Sequence, residues 1–237
     1  MESAGEKVNK MTYTDLVNVY LFNYTSSLYR EDDMTGCGCT MVEEMSEIRK
    51  KYWTGTPIEE VLGDCVCQRH GHQYCIDTDA VKQAVDGLMK GKFVGVNKVA
   101  PFVDNNKFFD GFVDFEQLYD FVASVIADIK GIGPLTVYDT AKRIGHLFDN
   151  PIYPEQYVYL SAGALDGAKV LLPNLKLKLR EPRKLFEPFF CGLPSIFIED
   201  MLCIFKNSFA KLPGLTAKDV LRKGNCVFKM VTQPTII

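Results

Sequence analysis

Three histidines and a single tryptophan stand among 237 residues, and nowhere does an apolar run approach the ~20 residues that a bilayer-spanning helix needs. A membrane-embedded chain is therefore not expected. The sequence has no Gly-x-x-x-x-Gly-Lys phosphate loop, no Gly-x-Ser-x-Gly elbow and no His-Glu-x-x-His helix. These absences remove P-loop nucleotide hydrolysis, α/β-hydrolase chemistry and zinc-helix proteolysis. The opening stretch Met1 to Lys7 has no apolar core of the secretory type, so a cytoplasmic location is expected. In that compartment the eight cysteines are expected as thiols or metal ligands rather than disulfides. Internal repeats and low-complexity tracts are also missing.

What is present is an ordinary globular composition, 47% hydrophobic and 24% charged. The length allows one large domain or two small ones with ample core. The net charge of −3 hides an asymmetry: residues 1–120 carry 12 basic and 20 acidic side chains, residues 121–237 carry 15 and 10. A polyanion would therefore meet the second half. The expected division is an N-terminal helical region, 1–113, containing a Cys/His-rich segment at 37–75, and a C-terminal region, 114–237; the two can equally form one continuous domain.

Apolar spacing predicts a mainly α fold of eight or so helices. Val17, Leu21, Tyr24 and Leu28 mark a helix over 12–30, and a second is expected from Met41 to Trp53. Thr56-Pro57-Ile58-Glu59 is a capping box opening a short helix to about Leu62. Asp77 caps a helix from Thr78 to Met89, and 92–113 is the least regular region. Asp114 opens a helix with Leu118, Val122, Val125, Ile126 and Ile129 on one face; Val137, Ala141, Ile144 and Phe148 make the matching face of the next. A helix is expected over 156–172, with Gly163 and Gly167 admitting a close neighbour. An extended arm follows at 176–180. Ser195 is the expected cap of a helix reaching Phe209, and Thr216 caps a last one.

Five potential ligands fall within eleven residues, Cys65, Cys67, His70, His72 and Cys75, with Cys37 and Cys39 upstream. Thiolates and imidazoles gathered in an irregular loop suit a tetrahedral structural zinc site, with an iron–sulfur cluster as the lesser alternative. Seven candidates exceed four ligands, and Cys-x-Cys is not the common finger spacing.

The stretch Lys130-Gly131-Ile132-Gly133-Pro134 lies between two helical patterns. Glycines without side chains let a ligand approach the backbone amides, and a helix starting at Pro134 adds its bare N–H groups and positive dipole end. That corner suits an anion such as a nucleic-acid phosphate. Ile129 to Val137 resembles the helix-hairpin-helix motif, over about a tenth of the chain, with Val137 where that motif usually has alanine. The resemblance implies phosphate contacts from Gly131, Ile132 and Gly133 without sequence readout. It extends distantly to the helix-hairpin-helix DNA glycosylases, which are also mostly helical. Their lyase lysine is replaced here by Leu135, and their Asp-x-His signature is absent. Asp166 is the best-placed substitute for the catalytic acid.

Lys176, Lys178, Arg180, Arg183 and Lys184 form a basic arm able to follow a phosphate backbone, with Lys142 and Arg143 as further cations on the second hairpin helix. The sequence thus points to a nucleic-acid-binding protein, DNA first, with glycosylase-like chemistry as its enzymatic version. The competing expectation is a protein-interaction or structural module with a metal-stabilised subdomain.

Overall fold

The computed structural model describes residues 11–24, 41–67, 76–91 and 112–212. Among these the chain is helical apart from one small ribbon. The helices are α1 (Tyr13–Tyr24), α2 (Met41–Trp53), α3 (Ile58–Val66), α4 (Thr78–Lys90), α5 (Phe115–Ile126), α6 (Pro134–Leu147), α7 (Ala162–Leu171), α8 (Glu187–Phe190), α9 (Ser195–Ile204) and α10 (Lys206–Phe209). Strands β1 (Tyr157–Tyr159) and β2 (Arg180–Pro182) pair antiparallel, Tyr159 opposite Arg180. Among the described residues no helix is long and apolar enough to cross a membrane.

The caps follow local chemistry. Asp77 accepts from the Asp79 amide and Asp114 from the Gln117 amide, each at 2.8 Å, so both carboxylates satisfy first-turn donors at helix starts. Gly91 ends α4 with a positive φ of 49°, a conformation that glycine adopts without a Cβ penalty.

Two apolar cores form. Helices α2 to α6 with Tyr159 enclose one, built on Leu62, Leu88, Phe115, Phe121 and Ile144. Helices α1 and α7 to α10 enclose the other, built on Leu16, Phe186, Phe190, Leu202 and Phe205. Helix α6 belongs to the first core but is buried on almost every side, polar residues included.

Several expectations change. The helix foreseen over 156–172 begins only at Ala162, because Tyr157-Val158-Tyr159, rich in strand-forming types, pairs with β2 instead. Helix α3 runs past Leu62 to Val66, taking in Cys65. Ser195 does not cap α9: its hydroxyl donates to the Glu155 carbonyl at 3.0 Å, and Pro194 holds the cap position. The helix expected to reach Phe209 breaks at Phe205. The expectations for 92–111, for the stretch beyond Tyr24 and for the helix at Thr216 lie outside the described residues.

Candidate nucleic-acid interface

The hairpin between α5 and α6 spans residues 127–133. Gly131 has φ +95°, so a side chain there would be strained, and it is exposed beside Lys130. Gly133 is the cap residue of α6, with no side-chain cap and Pro134 in the first turn. Ile132 departs from the expectation. Its side chain is buried and its amide donates to the Ile129 carbonyl at 3.0 Å, so it closes the turn and does not face a ligand. The surroundings also temper the corner's charge. A Cβ on Gly131 would lie 3.9 Å from Ala80, in the first turn of α4, where Asp77 and Asp79 are exposed. Asp128 is exposed on the hairpin itself.

Lys142 and Arg143 do not belong to any surface. Lys142 is 6% exposed and Arg143 4%. Arg143 Nη1 donates to the Cys65 carbonyl at 2.9 Å, placing a guanidinium at the negative end of α3. Lys142 Nζ lies 2.9 Å from Asp139 Oδ1, 4.0 Å from Glu199 Oε2 and 4.5 Å above the Tyr138 ring. Next to Glu199, Asp200 accepts a 2.8 Å hydrogen bond from the Tyr20 hydroxyl of α1. Side chains of α6, α9 and α1 thus meet in one ionic cluster that ties the two cores together.

Burial would lower the Lys142 pKa, but Asp139 and Glu199 outweigh it and hold the ammonium above its usual range. Burial pushes Glu199 up to about 8 despite Lys142, and raises Asp200 against the hydrogen bond from Tyr20. Glu199 therefore keeps a proton in the folded chain that it loses on unfolding at neutral pH. Its stabilisation is complete below about pH 4.5, the ordinary carboxyl value, and is lost as pH climbs to about 8. In urea titrations, wild type should lose stability relative to Glu199→Gln by up to about 1.4 kcal/mol per pH unit across that window. Parallel profiles for the two proteins would refute this assignment.

The basic arm divides. Lys176, Lys178 and Lys184 are exposed and Arg183 is half-buried. Arg180 is engaged: its Nη1 sits 3.0 Å from Asp120 Oδ1 and its guanidinium lies over the rings of Tyr157 and Tyr119. Beyond β2, Arg183 and Lys184 line a groove of about 690 Å³ with Pro154, Gln156, Tyr157 and the start of α9 at Pro194–Ser195. That start has no side-chain cap, so the positive end of α9 and two basic side chains converge there. Glu155 and Glu187 line the same groove and offset part of the charge.

Asp166 lies on the solvated face of α7, 4.0 Å from Lys169, both side chains about 60% exposed. Of the seven expected metal ligands, Cys65 is fully buried in the first core and Cys67 is half-buried. Cys37, Cys39, His70, His72 and Cys75 lie outside the described residues. Among the described residues no group of three His, Cys, Asp or Glu is placed to hold a metal.

Sequence reasoning missed Asp139, Glu199, Asp200, Tyr20 and Tyr138. The available signal was the acid pair Glu199-Asp200 inside the largely apolar run from Ser195 to Ile204, with Asp139 and Lys142 three apart on α6.

No family model matches the sequence, and neither the curated proteins nor the solved structures yield a match.

Proposed function

We propose that the chain binds nucleic acid through its phosphate backbone, without reading sequence, using the groove at Arg183 and Lys184 as principal contact. The observation that carries this reading is the convergence of those two cations on the uncapped start of α9 in one open groove. An aligned helix start contributes roughly half a positive charge, and arginine adds a planar fork of donors matched to phosphate oxygens. Lys176 and Lys178 extend the contact along the arm, and the corner at Lys130, Gly131 and Gly133 offers a second one. Lys142, Arg143 and Ile132 drop out because they serve the interior. The proposal is for binding and assigns no catalytic role.

Anisotropy titrations with a fluorescent duplex at several salt concentrations test the reading. Wild type should bind at low salt and weaken steeply as salt rises. Arg183→Ala/Lys184→Ala should flatten the log–log salt dependence by about 0.9 for each phosphate that is no longer neutralised. Absence of binding at low salt, or an unchanged slope in the double variant, would leave the protein-interaction reading in its place.

A further inference from the structure

A ribbon of two three-residue strands has little stability of its own, so something must hold the arm against the bundle. Backbone hydrogen bonds continue the ladder by one rung at each end: the Leu160 amide donates to the Leu179 carbonyl at 2.6 Å, and the Arg183 amide donates to the Gln156 carbonyl at 2.8 Å. Between these rungs, opposite Tyr159, sits Arg180. Its guanidinium carbon lies 5.1 Å from the Tyr157 ring centroid and 5.9 Å from that of Tyr119, with Asp120 in contact and the Tyr159 hydroxyl alongside. Tyr159 in turn stacks on Tyr138 of α6 at 4.9 Å and lies 4.4 Å from Tyr119 of α5. The cation is thus boxed by three phenols and matched by a carboxylate. A guanidinium can lie against aromatic rings while its N–H groups meet a carboxylate such as Asp120, and lysine lacks the planar fork for that combination.

We infer that Arg180 is the anchor of the basic arm, a positioning residue that fixes β2 to α5 and so presents Lys176, Lys178, Arg183 and Lys184, and that it is not itself a phosphate ligand. The anchoring half stands on the geometry alone. The presentation half rests on the proposed nucleic-acid binding.

The full-length chain is compared with Arg180→Ala, Arg180→Lys and the milder Asp120→Asn. Hydrogen exchange at the Leu160 and Arg183 amides reads the anchor without any nucleic acid. Exchange should quicken about tenfold in Arg180→Ala, and nearly as much in Arg180→Lys, because the charge is kept while the stacked plane is removed. Asp120→Asn should quicken it less. Unchanged exchange in Arg180→Ala, or full protection in Arg180→Lys, would overturn the anchor. The second readout is the Nε–H resonance of each arginine during titration with an unlabelled duplex. Arg183 should shift while Arg180 stays in place. An Arg180 resonance that moves as far as that of Arg183 would make it a phosphate ligand and overturn the inference. Failure of the duplex to bind would refute the proposed function and the presentation half together, and the exchange rates would then decide the anchor by themselves.

Discussion

Replacing Lys142 with methionine should cost about 3–5 kcal/mol of stability, the range found when one partner of a buried ion pair is removed. The lysine is the cation that faces Asp139, Glu199 and Asp200 where α6 meets α9 and α1. Without it, Glu199 can stay protonated, since burial already holds its pKa at about 8. Asp139 loses the ammonium that lies 2.9 Å from its buried carboxylate. The double variant Lys142→Met/Asp139→Asn should therefore recover at least half of the loss, because both members of the closest pair become neutral. Urea denaturation followed by circular dichroism measures this directly. Losses that simply add in the double variant would show that the pair is not coupled and that the cluster is not what joins the cores.

The second large effect is expected at Gly167. A Cβ built there would lie 2.1 Å from the Leu202 carbonyl oxygen and 2.8 Å from its carbonyl carbon. Backbone cannot yield as a side-chain tip can, so α7 and α9 would have to move apart where they touch. Gly167→Ala should destabilise the chain by about 3 kcal/mol, at the upper end for overpacking. Gly163 provides a graded comparison. Its Cβ would meet Cys203 Sγ at 2.7 Å and Lys206 Nζ at 3.2 Å, both on side chains that can rotate, so the cost there should be near ~1 kcal/mol. Gly63 serves as the control with the opposite sign. Nothing lies within 4 Å of its Cβ position in α3, and alanine there should stabilise by about 0.5–1 kcal/mol through helix propensity. Thermal melts of the three variants in that order check the prediction. A Gly167→Ala protein as stable as wild type would mean that the two helices do not approach this closely.

Much of the architecture was legible because local chemistry and periodicity agree. The aspartates at 77 and 114 mark helix starts, Pro134 sits in the first turn of α6, and the faces of α5 and α6 carry the apolar stripes that the spacing indicates; at α3 the expected capping box does not form, and Pro57 itself holds the cap position. The two glycines of α7 likewise announced a close neighbour, and α9 is that neighbour. Where reading failed, a non-local partner outweighed the local pattern. Tyr157 to Tyr159 left the helical register because a strand further along the chain was available to pair with it. Ser195 gave up its capping role for a carbonyl 40 residues away.

The candidate site was legible only in its outermost parts. Lys176 and Lys178 stand exposed on the arm where the alternation was read, and Lys184 is exposed on the short 3-10 turn that follows β2. Lys142 and Arg143 look the same on paper as surface cations, yet both are interior. Their apparent polar face is the face that α3 and α9 cover, and the acids and the carbonyl that receive them come from other parts of the chain.

Composition and spacing by themselves determined a mainly helical chain, the capped starts at Asp77 and Asp114, and a basic second half, since each of these depends on composition or on neighbours within a few residues. Only the tertiary structure decided which charges face water and which face each other, and how closely α7 and α9 approach. Those outcomes turn on desolvation and on partners far apart in sequence, and for that physical reason no local pattern could carry them.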